Sequence, residues 1–161
     1  MANYTGANVI VAGDVTKYQP DAFDFGVASN SAEAVNFFAQ TTNDIFRQLR
    51  VEWFPVYKTN IFTDITVLNT AEMVNTKVNL DQFERAGVYL FLGRFFLPAL
   101  TKFRPETEKD RFERMAEYYM SQYNVEWRMI LEDGVEYDVD ADGTIVSNER
   151  EPLHGFRRLI R

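Results

Sequence analysis

A chain of 161 residues with a net charge of −7 and no cysteine excludes several classes at once. It has no disulfide framework and no thiolate metal site. Its charge is wrong for broad nucleic-acid affinity, which runs on Lys and Arg. No apolar run approaches the roughly 18 residues of a membrane span. The hydrophobic fraction of 46% and charged fraction of 25% are those of a soluble globule. The length fits one domain with a terminal arm, enough to bury a core. The N-terminus lacks a basic stretch followed by an apolar run and a cleavage site, so a cytosolic chain is expected.

Residues 1–28 read as an extended N-terminal arm. Val9-Ile10-Val11-Ala12 is a short apolar run between Gly6 and Gly13, fit for a strand or an anchored loop. Pro20, Gly26 and the neighbouring Asp residues argue against helix over Thr16–Gly26. Tyr18, Phe23 and Phe25 need cover. They either fold back on the chain's own core or pack against a neighbouring subunit.

Residues 29–136 read as a helical domain. A first helix is expected from about Asn30 to Arg50, with Asn30 and Glu33 as a capping box. Ala34, Phe38, Ile45 and Leu49 form its apolar face, and Trp53-Phe54-Pro55 ends it. Ile61 to Leu68 is rich in β-branched residues and suggests a strand, and Ala71 to Val78 a short helix. A second helix begins after Asn79, with Gln82 completing another capping box. Its Gly87 and Gly93 permit close helix approach, and Pro98 kinks or stops it. The third helix follows Pro105 and runs to about Glu132. It carries Phe112, Met115, Ala116, Tyr119, Tyr123, Trp127 and Ile130 at helical spacing. Arg111, Arg114, Glu117 and Gln122 occupy its other side. The expected fold is mainly α: a small bundle of three main helices, with room for a short β-hairpin.

Residues 137–161 hold an EF-hand-like acidic loop and a basic tail. Asp138, Asp140 and Asp142 stand at positions 1, 3 and 5 of a calcium loop. Gly143 occupies the sharp turn at position 6. Thr144 offers its backbone carbonyl at position 7, and Glu149 closes the shell at position 12. The alternative is an acidic turn without metal. The flanks are not those of an ordinary EF-hand, because Gly134 to Tyr137 do not resemble a helix end. A bound Ca²⁺ would therefore be structural, holding the last segment in place. The tail alternates Phe156, Leu159 and Ile160 with Arg157, Arg158 and Arg161. It is either a short element on the parent domain or a docking peptide, and Arg with aromatic residues favours docking.

Nothing in the sequence assembles a catalyst. The one histidine, His154, sits in the tail, and there is no G-x-S-x-G, HExxH or P-loop. An enzyme is not expected.

Three stretches carry a resemblance. The first is Lys17-Tyr18-Gln19-Pro20 through Asp24-Phe25-Gly26, followed by a helix ending Asp44-Ile45-Phe46-Arg47-Gln48-Leu49-Arg50 with Trp53 after it. The second is the long helix from near Phe112. The third is Tyr137-Asp138 with Asp142-Gly143, Glu149 and Arg157-Arg158-Leu159-Ile160-Arg161. With these the chain resembles the head–tail connector (adaptor) proteins of tailed bacteriophages. The resemblance implies a mainly helical virion subunit, made in the host cytoplasm. About twelve copies would form a ring between the portal protein and the tail or next neck protein. Arms and tails would dock on the portal, and DNA would pass through the lumen without specific binding. A negative subunit suits such a lumen. The alternatives are a free calcium-binding module, such as a buffer or dockerin-like domain, and another neck component, such as a head-completion or tail-terminator protein.

Overall fold

A computed structural model describes residues 8–25, 27–101, 111–145 and 149–151. The chain is mainly helical. Among the described residues the α-helices are α1 (Ala12–Tyr18), α2 (Ala32–Gln48), α3 (Phe54–Ile61), α4 (Ile65–Thr70), α5 (Glu84–Leu90), α6 (Leu97–Leu100) and α7 (Arg111–Asp133). Two short strands, β1 (Val135–Glu136) and β2 (Arg150–Glu151), pair antiparallel, with Val135 opposite Glu151 and Glu136 opposite Arg150. The chain divides into two compact units, one built from residues 8–45 and 83–127, the other from 46–82 and the residues after 127.

The first unit corrects the extended-arm expectation over residues 12–25. α1 forms because the Asp14 carboxylate reaches back to accept the Val11 N–H at 2.9 Å. That satisfies one orphan donor of the first turn, while Val15 is buried. A 3₁₀ turn follows at Ala22–Phe25, so Pro20 separates two helical pieces. Val9 and Ile10 are buried, and the Val9 N–H donates to the Thr42 hydroxyl at 2.9 Å, anchoring the chain before α1. α2 is capped by Ser31, whose hydroxyl accepts the Ala34 N–H at 3.1 Å. The cap thus lies one residue beyond the expected Asn30.

Trp53-Phe54-Pro55 does not end the first helix. A π turn spans Leu49–Trp53, in which the Phe54 N–H donates to the Leu49 carbonyl five residues back, and α3 continues from it. The second helix behaves the same way. After α5 a π turn spans Phe91–Phe96, the Leu97 N–H donates to Leu92, and α6 carries Pro98 near its start. Proline removes a donor and crowds the carbonyl four residues before it. A wider turn just upstream absorbs that disturbance, so helix continues through each proline. In the second compact unit, the strand expected over Ile61–Leu68 is replaced by the end of α3 and by α4. Asp64 caps α4 by accepting the Thr66 N–H at 2.7 Å, and this local bond outweighs the β-branched composition. Of the helix expected over Ala71–Val78, a single 3₁₀ turn at Asn75–Lys77 is present. The Pro105 start expected for the third helix lies outside the described residues.

In the first unit α5 and the following π turn are buried almost all round, from Ala86 through Gly93. A Cβ at Gly93 would stand 2.9 Å from the Met120 backbone nitrogen and 3.0 Å from the Ala116 carbonyl. The glycine is therefore what lets this turn lie against the α7 backbone. Phe91 stacks on Phe38 at 4.7 Å and on Phe96 at 5.4 Å, and Tyr119, Tyr123 and Trp127 present the buried face of α7. The core of the other unit is an aromatic cluster. Trp53 lies 4.5 Å from Tyr57, and Tyr137 lies 5.3 Å from Tyr57 and 5.7 Å from Trp53.

Candidate metal centre

The acidic loop closes a hairpin. α7 stops at Gly134, which has φ +101° and donates its N–H to the Ile130 carbonyl at 3.0 Å. Only glycine adopts that left-handed conformation without strain. β1 follows at once, and after the loop the Tyr137 N–H donates to the Glu149 carbonyl at 3.0 Å, leading into the β1–β2 pair. The metal-loop sequence thus sits between two strands, so β1 and not the end of α7 runs directly into it.

The loop is also stitched to residues 74–82. The Asp138 N–H donates to the Lys77 carbonyl at 2.8 Å, and the Asn79 N–H donates to the Glu136 carbonyl at 3.1 Å. Val78 and Tyr137 form a bridge between them. The Asn79 amide donates to the Glu136 carboxylate at 2.6 Å, and Arg150 meets that carboxylate at 3.2 Å. The Lys77 ammonium donates to the Val139 carbonyl. The buried Tyr137 hydroxyl accepts the Val74 N–H at 3.1 Å. Burial pushes the Tyr137 phenol above its ordinary range, and the Val74 N–H opposes this in part.

Of the five residues expected to hold a metal, the fold brings three together. Carboxylate oxygens of Asp138, Asp140 and Glu149 lie within 4.8 Å of one another. Asp138 is 3% exposed and Glu149 4%, although both carry carboxylates. Backbone donors organise them. Asp138 accepts the Asp142 N–H at 3.2 Å through one oxygen and the Gly143 N–H at 2.9 Å through the other. Asp140 accepts the same Asp142 N–H at 3.2 Å, and Glu149 accepts the Val139 N–H at 2.9 Å. Ala141, φ +62°, and Gly143, φ +82°, turn the chain so that these donors point inward. Asp142 is exposed and outside the three-carboxylate group; its oxygen accepts the Thr144 N–H at 2.7 Å. Thr144 is exposed as well.

The donor chemistry fits a hard cation. Oxygens bound to one Ca²⁺ at about 2.4 Å stand at most ~4.8 Å apart, and the three carboxylates meet that limit. Each carboxylate oxygen has two acceptor directions, so the backbone N–H groups on Asp138 and Asp140 leave other directions for an ion. Among the described residues no Lys or Arg forms an ion pair with Asp138, Asp140 or Asp142.

The residues expected to bind partners fall in two groups. Tyr18 meets Tyr89 edge-on at 5.9 Å, and Phe23 meets Phe96 at 5.4 Å; Phe23 is half-buried, while Tyr18 remains 37% exposed. Phe25 ends the 3₁₀ turn; its side chain, and Phe156, Arg157, Arg158, Leu159, Ile160 and Arg161, lie outside the described residues. Sequence reasoning missed the part played by Val74, Lys77 and Glu136 in anchoring the loop. They act across some sixty positions, and no local pattern announces such a pairing. The Asn79–Gln82 motif was the one visible trace: Gln82 does donate to the Asn79 carbonyl at 3.0 Å, but the Asn79 side chain also turns to Glu136. No helix among the described residues is long and apolar enough to cross a membrane. No protein-family model matches the chain, and neither does any curated protein or solved structure.

Proposed function

We propose that this chain is a structural interaction subunit, a head–tail connector adaptor of a tailed bacteriophage, with its C-terminal hairpin braced by one Ca²⁺. In this reading a small bundle of three main helices assembles as a ring, about twelve copies strong, in the virion neck. It contacts the portal protein on one side and the tail or next neck protein on the other. It performs no chemistry, and DNA passes its lumen unbound. The Ca²⁺ takes oxygens from Asp138, Asp140 and Glu149, with Asp142 and the Thr144 carbonyl completing the shell as the loop closes.

One observation carries the reading. The segment leading into the Arg-rich tail is anchored at β2, directly after a loop in which two buried carboxylates face each other. Buried like charges cost free energy that a divalent cation offsets. A tail that must grip a partner gains from a fixed starting point, because less entropy is lost on docking.

Titration calorimetry with Ca²⁺ tests the brace. Binding with a Kd of about 10⁻⁵ to 10⁻³ M is expected, and none for Asp138→Ala. Equal heats for the two proteins would remove the metal. Deleting residues 152–161 and mixing the protein with purified portal tests the setting. Loss of portal binding with an unchanged melting temperature is the expected result, and full binding by the truncated chain would reject the docking tail.

A further inference from the structure

α7 has a second apolar face. Its buried side carries Ala116, Tyr119, Tyr123, Trp127 and Ile130. On the opposite side Tyr118 is 59% exposed, Val125 52% and Met129 53%. All belong to one uninterrupted helix, so their spacing follows from helical geometry alone. At about 100° per residue, Arg111, Arg114, Tyr118, Val125, Met129 and Glu132 fall within an arc of about 60°. An ordinary surface helix is apolar on one side only. This one presents a stripe that is basic at its start, apolar in its middle and acidic at its end.

We infer that this stripe pairs with the same stripe of a second copy of the chain, the two α7 helices running antiparallel. The order of residues selects that partner. A two-fold axis between Ser121 and Gln122 sets Tyr118 opposite Val125, Arg114 opposite Met129 and Arg111 opposite Glu132, each twice. Apolar meets apolar, the Arg114 stem covers a thioether, and opposite charges close both ends. A parallel pair would instead set Arg111 against Arg111 and Glu132 against Glu132. Among the described residues neither Arg111, Arg114 nor Glu132 has an ion-pair partner. Glu132 also lies in the last turn of α7, which holds no basic residue. A negative charge there opposes the helix dipole, and the partner's Arg111 corrects it. The contact is isologous, whereas ring contacts are heterologous, so it stands independently of the neck reading.

Charge reversal tests it on the full chain by sedimentation velocity. Wild-type protein should show a reversible dimer. Arg111→Glu alone and Glu132→Arg alone each place like charges opposite one another at both ends. Each should weaken the dimer about tenfold or more. Mixing the two variants restores both opposite-charge pairs and should return the affinity of the wild type. Val125→Glu should leave a monomer. Because the chain has no cysteine, Ser121→Cys should give a disulfide-linked dimer on oxidation, and Thr66→Cys should not. These positions are exposed, and an unchanged circular dichroism melt verifies that each variant folds. A wild-type monomer at high concentration would overturn the proposal. So would a dimer or larger species indifferent to Val125→Glu, or charge variants that fail to complement each other.

Discussion

Single residues decide how closely parts of this chain approach. Gly93 is the sharpest case, because a Cβ there would meet the α7 backbone at Met120 and Ala116. Backbone cannot swing aside as a side-chain tip can. Gly93→Ala should therefore destabilise the protein by about 1–3 kcal/mol, the usual cost of overpacking, against the slight gain alanine gives in an open helix. Denaturant titration checks the sign. Gly13, with nothing near its Cβ direction, supplies the control: Gly13→Ala should be neutral or mildly stabilising. Tyr137 sets an alkaline limit. Its phenol is held above the ordinary value near 10 mainly by burial, so the folded state retains a proton that the unfolded chain releases. That stability is fully present below about pH 10 and is lost as pH rises through the folded pKa. Tyr18 and Tyr119 are raised by burial in the same direction. Melting temperature should fall as pH rises above about 10, and Tyr137→Phe should flatten that fall while lowering the neutral-pH value through the lost Val74 bond.

Among the elements, the two π turns and α4 show how local chemistry overrides composition. Each π turn stands just before a proline and lets a helix continue where sequence alone suggests a stop. α4 forms from Ile65-Thr66-Val67, residues that favour strands, because Asp64 caps it. Yet α4 has no buried residue, and the Asp64 cap is the local bond that closes its first turn. Asp64→Ala should cost about 1 kcal/mol locally. Faster amide exchange over residues 65–70 with a nearly unchanged global melt is the expected outcome, and a large drop in global stability would show that α4 is tied to the core. The hairpin is the contrasting element. Its strands are only two residues each, but Lys77–Asn79 runs along its other edge, and its loop gathers three carboxylates.

For the molecule as a whole, a cation bound at that loop would act on stability through mass action. Ca²⁺ at a hundred times its Kd should add about 2.7 kcal/mol to the unit formed by residues 46–82 and the chain after 127. A thermal scan with Ca²⁺ and with chelator measures this. Glu149→Gln should abolish the shift, since it removes a charge from a residue 4% exposed whose backbone carbonyl, also held by Tyr137, is unaltered.

The sequence by itself determined the mainly helical character, the apolar faces of α2 and α7, a glycine at the close approach of Gly93, and the spacing of acidic residues along the loop. These are local properties: periodicity, steric freedom and donor order along a dozen residues are written in consecutive positions. Only the tertiary structure decided that Thr16–Tyr18 close a helix, that Tyr18 and Phe23 pack on Tyr89 and Phe96, and that helical paths run through Pro55 and Pro98. It also decided that the acidic loop joins two strands pinned by Val74, Lys77 and Asn79. Each of those outcomes depends on groups far apart in the chain, whose hydrogen bonds and ring contacts exist only once the backbone has brought them within a few ångströms.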